Sequence, residues 1–432
     1  MSEEFELFEN LQRGEDIPID DWDVHRLKNV CQFQYGDGLT GDQRNGGEYP
    51  VYGSAGVVGH HSEPYVEGEG VVTARKGSIG EVSYAVTDFY PIDTTYYITQ
   101  KETNENLRWL YYTLDLLNLD RVNASTAIPS LNRNDAGNLR ITVPPVGEQE
   151  RIASVLYTVD QHVEALDQRH SDLQDLKHAL MQDLLTGKKR FDGDEVIFNS
   201  NEFEGYKIDD EPPVVLANWS GMKLPEGWTR ETMGEMMDVT TGSSFSSERF
   251  NDNGEYILIK NKTVKEQEPK VYISGDIDER YIIEKGDLLV TMDGEFTIRE
   301  WGLGEAALNQ RVCKVEPKDR IHKRFLRYAI EYPLRYVQSY KAGTTVKHLS
   351  TKDFDDIHLP IPPRNEQERI ASVLYTVDEM IARTSDLRDE YERLKRGLMQ
   401  DLLSGDVRTP ESLVVLEELE SQTEAQPQTV ET

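Results

Sequence analysis

Residues 147–160 read GEQERIASVLYTVD and residues 365–378 read NEQERIASVLYTVD, so one peptide occurs twice with only its first position changed. The offset is 218 (365 − 147), and it also carries MQDLLTG (181–187) onto MQDLLSG (399–405) without a gap. The same offset takes Ser130-Leu131-Asn132 to His348-Leu349-Ser350, Asp135 to Asp353 and Val72-Thr73 to Val290-Thr291. Upstream it shrinks: Trp22 matches Trp228 and Gly36 matches Gly242 at 206, and Gly47-Glu48-Tyr49 matches Gly254-Glu255-Tyr256 at 207. The chain is two copies of one long unit. The front of the unit has diverged and its end has not.

The matched end reads as a helix. Pro144-Pro145 and Pro362-Pro363 suit the approach to a helix start, and Gly187 and Gly405 suit stops. In the first copy apolar residues recur at Ile152, Leu156, Val159, Val163, Leu166, Leu173, Leu180 and Leu184, a heptad pattern interrupted at His170 and Lys177. The second copy gives Ile370, Leu374, Val377, Ile381, Tyr391, Leu398 and Leu402 in the same register. Heptads with charged flanks imply a coiled coil, with the other copy as the expected partner. A helix of roughly 40 residues would span about 60 Å.

The fronts mix short β-rich runs, GVVTARKGSIGEVSYAV (70–86) and DLLVTMD (287–293), with helical patches, NLRWLYYTLDLL (106–117) and RFLRYAIEY (324–332). The expected fold class is α/β (α+β): two compact domains at 17–145 and 224–363, and two long helices at 146–187 and 364–405. Residues 188–223 read as a linker, and the acidic stretch 406–432 as a disordered tail.

Composition narrows the class. The net charge is −32 over 432 residues, which alone argues against phosphate contacts. Residues 1–24 hold nine acids and one Arg, and residues 406–432 seven acids and one Arg, so the two ends carry 14 of those negative charges. A high-salt cytoplasm is one expectation for the acidic remainder, since net charge speaks to solubility rather than fold. No apolar run is long enough for a membrane span. The acidic N-terminus is not a signal peptide. Cys31 and Cys313 stand alone, which suits a reducing cytoplasm without disulfides.

Catalytic motifs are missing. Gly187-Lys188-Lys189 lacks the rest of a P-loop, and GSAGVVGHH (53–61) does not fit the dinucleotide fingerprint. His60-His61 has no ligand at metal spacing and reads as a loop pair. No G-x-S-x-G, H-E-x-x-H or Asn-Pro-Pro-aromatic stretch occurs. The chain reads as a scaffold that binds something. Basic and amide residues beside aromatics in expected loops are the candidates for DNA contact: Arg44, Asn45, Tyr49, Tyr52, Arg75, Lys76, Ser78, Asn132 and Arg133 in the first domain. The second offers Lys260, Asn261, Lys262, Arg299, Lys347, His348 and Lys352. Arg and Lys suit guanine and phosphate, and Asn suits adenine. Any soluble domain also carries surface Lys and Arg, so single residues decide little.

P-P-x-x-E-Q-x-R-I-A-x-V-L followed by a long helix ending L-L-x-G, present twice, resembles the specificity subunit of type I restriction–modification enzymes. LPEGWTRETMGEM (224–236), RKGSIGEV (75–82), TMDGEF (291–296), ALNQRV (307–312) and IPSLNRND (128–135) agree with that resemblance. It implies that each diverged domain is a target-recognition domain reading one half of a split double-stranded DNA site. It implies two antiparallel helices that separate the domains and dock two methyltransferase subunits. Those partners would bring S-adenosylmethionine and methylate adenine N6 on a flipped base. Restriction subunits would add ATP- and Mg2+-dependent translocation and cleavage. The chain itself would hold no cofactor or metal and do no chemistry. The competing expectations are a coiled-coil adaptor without DNA binding, and an enzyme with an unrecognised site.

Overall fold

The computed structural model describes residues 21–120, 130–192, 195–198, 224–340, 348–355 and 357–413. The chain divides into two compact units at two points, between Asp167 and Gln168 and between Ser385 and Asp386. Both points fall inside the long helices, Val146–Leu185 and Arg364–Ser404. The sequence segmentation gave each domain its own helix. The compact units instead take the front half of one long helix and the rear half of the other.

In the first unit, strands Gln34–Tyr35, Thr95–Ile98, Gly70–Ala74 and Val82–Ala85 form a four-stranded sheet. A three-stranded sheet holds Gly56–His61, Tyr49–Gly53 and Tyr90–Pro91, the last two parallel. Asp23–Arg26 closes the domain by pairing antiparallel with Arg140–Val143, so the two ends of the domain meet. Helix Leu107–Leu116 starts where the Asn106 side chain accepts from Trp109 N at 2.9 Å, and it buries Trp109, Leu110, Tyr112 and Leu114. Packed on that face are Ile152 and Leu156 of the first long helix and Met399, Leu402 and Leu403 of the second.

The second unit repeats the plan. Met237–Thr241, Val312–Pro317, Leu288–Thr291 and Ile298–Glu300 form one sheet, and Thr229–Thr232 pairs with His358–Ile361 as the closing ribbon. A five-stranded sheet includes one parallel pair, Tyr256–Ile259 with Ala306–Leu308. Helix Lys323–Ala329 buries Phe325, Leu326 and Tyr328 in a core that also takes Ile370, Ala371 and Leu374, and Met181, Leu184 and Leu185. The Met and Leu side chains of the duplicated MQDLL segments each enter the core of the domain that belongs to the other repeat, with Met181 and Leu402 at 0% and 4% exposure.

Within each unit the two helix halves run antiparallel. In the first, Asp160 pairs with Lys395 at 2.6 Å and Asp167 with Arg388 at 2.6 Å, so one number rises as the other falls. In the second, Lys177 meets Asp378 at 2.8 Å. Of the expected heptad positions, Ile152, Leu156, Val159, Leu173, Leu184, Ile370, Leu374, Val377 and Leu402 are buried. Val163, Leu166, Leu180, Ile381, Tyr391 and Leu398 are half-buried.

Glycines hold the matched turns. A Cβ on Gly36 would lie 2.2 Å from Ile92 O, and one on Gly242 2.2 Å from Asn309 O, so both copies need the bare backbone there. Gly187 and Gly405 follow the helix ends at φ +73° and +83°, the left-handed stop expected from the sequence.

Three sequence expectations change. Residues 188–223 do not begin as a bare linker: Lys189–Asp192 and Glu195–Phe198 pair as an antiparallel ribbon. The tail is ordered through 413, because Arg408 is bound to a buried carboxylate, while residues 414–432 lie outside the described residues. His60 and His61 lie on a strand, opposite Pro50 and Tyr49, not in a loop.

Candidate functional site

Two kinds of site recur in both units: a cluster at the start of each long helix, and an exposed polar cluster on each diverged domain. The helix-start cluster explains the identical peptide. Glu148 Oε2 accepts from Trp22 Nε1 at 3.0 Å and from Arg408 Nη2 at 2.6 Å, and Oε1 accepts from Arg408 Nε at 2.7 Å. The Arg408 guanidinium lies 5.5 Å from the centre of the Trp22 ring. In the second unit Glu366 Oε2 accepts from Trp228 Nε1 at 3.0 Å and Arg190 Nη2 at 2.9 Å, and Oε1 from Arg190 Nε at 3.2 Å. Burial alone would raise the Glu148 pKa, but the Arg408 and Trp22 hydrogen bonds outweigh it and hold the group below its usual range.

The next residue is used the same way twice. Gln149 Oε1 accepts from Asn106 N and Gln367 Oε1 from His322 N, both at 2.8 Å. Asp160 accepts from Tyr112 Oη at 2.6 Å and Asp378 from Tyr328 Oη at 2.8 Å. Arg108 stacks over Tyr157 at 3.9 Å, and Arg324 over Tyr375 at 4.1 Å. Glu, Gln, Ile, Leu, Tyr and Asp of the repeated peptide thus face their own unit. The buried heptad residues Ile152, Leu156, Ile370 and Leu374 are fully enclosed there and have no surface to offer a partner. Identical residues that stay exposed in both copies are Glu150 and Thr158, and Glu368 and Thr376. Leu176 and Leu394, also equivalent, are 46% and 49% exposed.

On the first domain, Tyr35 is 45% exposed and two guanidinium groups approach it, Arg75 at 4.9 Å and Arg133 at 5.3 Å from the ring centre. Arg75 also donates to Asp93 O at 3.2 Å, and its Nε is buried with no hydrogen-bond partner. Leu131 N donates to Arg75 O at 2.8 Å, which brings Asn132 and Arg133 beside the turn bearing exposed Lys76 and Ser78. That turn needs Gly77 at φ +75°, packed against Ser54 at the tip of the Tyr49–Gly53 hairpin. Asn132 is partly occupied as a cap for Asn134 N at 2.8 Å. Arg44 donates to Val58 O at 3.0 Å and Asn45 to Ser62 Oγ at 2.8 Å, which stiffens that hairpin. Tyr52 is a correction: at 8% exposure, edge-on to Phe89, it belongs to the core. Sequence reasoning missed Tyr35, although it sits directly before the matched Gly36.

The second domain's cluster centres on an acid. Asp293 accepts from His348 Nδ1 at 2.7 Å and from Arg311, and its backbone oxygen accepts from Asn261 at 2.9 Å. Burial would raise the Asp293 pKa, but His348 and Arg311 lower it by more. Lys260 lies 5.0 Å from the Phe250 ring, Lys262 pairs with Glu266 at 3.4 Å, and Lys352 is exposed. Arg299 sits on a strand and donates to Ile298 O at 3.3 Å. Lys347 lies outside the described residues. Asp293 and Arg311 were missed as residues, although TMDGEF and ALNQRV contain them. Among the described residues no cluster of side chains suited to a metal ion occurs.

The sequence profile of the type I restriction modification DNA specificity domain matches twice, over residues 19–174 and 225–393. This chain belongs to that family. Its members are DNA-recognition subunits of type I restriction–modification systems rather than the catalytic ones. The chain is 34% identical to the EcoBI specificity subunit of Escherichia coli over 190 residues, 43% of this chain but only 40% of that subunit. It is 24% identical to the MjaVIII specificity subunit of Methanocaldococcus jannaschii over 318 residues, 69% of this chain and 70% of that one. Its fold is similar to the crystal structure of an S subunit from M. genitalium, with TM-score 0.61 at 16% identity, covering 90% of this chain and 98% of the other. A second similar chain, at TM-score 0.50 and 16% identity, comes from work on complex assembly and conformational transition of a type I system and covers 90% of this chain and 100% of that one.

Proposed function

We propose that this specificity subunit reads a bipartite DNA site with its two domains and scaffolds two methyltransferase subunits and restriction subunits on its long helices. The observation that carries this reading is the contrast between the two kinds of site. The helix-start geometry is reproduced bond for bond, whereas the exposed clusters differ: one is aromatic and doubly basic, the other built around Asp293. Two identical partners need the same surface twice, and the repeated exposed residues Leu176 and Leu394 supply one. Two different half-sites need different surfaces. A plain coiled-coil adaptor would need neither domain.

Chemistry on this reading belongs to the partners: S-adenosylmethionine and base flipping to the methyltransferases, and ATP and Mg2+ to the restriction subunits. The working compartment is the cytoplasm, where the DNA is. Replacing residues 17–145 with another recognition domain should change one half of the methylated sequence and leave the other, as mapped by sequencing methylated adenines. A change in both halves would overturn modular readout.

A further inference from the structure

We propose that Arg408 and Arg190 are positioning residues that set the spacing tolerance between half-sites, by fixing how each recognition domain joins its long helix. The inference rests on the bipartite reading above and adds the residues that enforce its geometry.

Three separate chain segments converge on one carboxylate in each unit. Trp22 directly precedes strand Asp23–Arg26, which opens the recognition domain. Glu148 sits in the first turn of the long helix. Arg408 lies beyond the end of the other long helix, which stops at Ser404. Trp228, Glu366 and Arg190 repeat this in the second unit, where Arg190 Nη1 also holds Glu226 O at 2.8 Å. The carboxylates are 3% and 4% exposed, so each arginine is the counter-ion of an almost water-free group. A bidentate guanidinium–carboxylate pair is directional as well as strong. Together with the indole N–H it fixes Glu148 from two sides, and with it the strand and helix that leave this point.

A plain stabilising ion pair could sit anywhere along the helices. This one sits at the joint, twice, with the same donors and the same ring stacking, in units whose fronts have otherwise diverged. A domain whose joint is loosened keeps its base-contacting surface but samples a wider range of angles to its helix. The consequence is loss of discrimination between spacer lengths, with the half-site sequences unchanged.

The test expresses the full chain together with a type I adenine methyltransferase subunit that assembles with it and maps methylated adenines genome-wide. Wild-type chain should methylate one pair of half-sites at one spacer. Arg408→Ala and Arg408→Lys, and separately Arg190→Ala and Arg190→Lys, should keep both half-sites but methylate spacers one base pair longer or shorter. A misplacement of this kind is worth about a hundredfold in a positioned reaction, so the preference for the native spacer should fall by about tenfold or more. The lysine variants keep the charge but not the fork, so they separate loss of geometry from loss of folding. Lower methylation at an unchanged spacer, or loss of methylation in both variants, would overturn the proposal. A wild-type chain that marks no two-part site would instead sink the recognition reading itself.

Discussion

Lys395, near the end of the second long helix, holds Asp160, near the start of the first, at 2.6 Å. The other oxygen of that carboxylate accepts from Tyr112 of the first recognition domain at 2.6 Å. Two helix halves and a domain therefore share one acid. Asp160→Ala leaves a half-buried ammonium and a buried phenol without their acceptor, and should cost about 1–3 kcal/mol. Its counterpart Asp378→Ala removes the carboxylate shared by Lys177, Arg327 and Tyr328 in the second unit, leaving Lys177 the longer pair with Glu331 at 3.9 Å. Amide hydrogen exchange followed by mass spectrometry should show each variant loosening its own unit. Equal loosening of both units by either one would contradict the division.

Leu402 belongs to the second repeat in sequence and to the first unit in space. Leu402→Ala should cost about 2–5 kcal/mol, the usual range for a buried leucine. Protection should fall in helix Leu107–Leu116 and stay in helix Lys323–Ala329. Loss of protection in the latter alone would show that the rear half of the helix packs elsewhere.

Glu148 predicts a pH dependence. Its folded pKa lies below the ordinary 4.5, because the Arg408 and Trp22 bonds outweigh burial. A depressed carboxylate stabilises the folded state above its unfolded pKa, and that contribution is lost as pH falls through the folded value. The difference in melting temperature between wild type and Glu148→Gln should therefore be full at about pH 6 and shrink towards about pH 3. A difference that grows on acidification would reverse the sign and reject the assignment.

Arg75 and Arg133 flank the exposed Tyr35 ring. Alanine at either position should lower affinity for the first half-site by about tenfold, and if the lost contact is to phosphate it should flatten the salt dependence by about one unit of slope. Competition between duplexes altered in one half-site reads this out. Tyr52→Phe, at a core position, should leave binding unchanged.

Burial pushes both thiols up to about 12. Neither Cys31 nor Cys313 should react with iodoacetamide in the folded chain at neutral pH, and both should react in denaturant. Fast labelling of native protein would mean that the strands around them open.

The two-fold repeat, the helix starts after the paired prolines and the stops at Gly187 and Gly405 were all legible in the sequence. Each depends on neighbours within a few residues or on direct comparison of the two copies. Local rules also singled out Arg75, Asn132, Arg133, Asn261 and His348, which the fold gathers around Tyr35 and Asp293. They could not tell half-buried Tyr49 from core Tyr52, three residues on, because strand burial depends on which other strands cover the face.

What the repeated peptide does was also outside its reach. Its identity is consistent with a shared partner, yet its Glu, Gln, Tyr and Asp side chains are turned inward, and only positions such as Glu150 and Thr158 remain outside. By itself the sequence determined that two like units exist and where their helices begin and end. Only the tertiary structure decided how each compact unit is assembled, from the front half of one helix and the rear half of the other. Contacts such as Glu148 with Arg408 join residues 260 positions apart, and no local propensity encodes a pairing made by antiparallel packing across the whole chain.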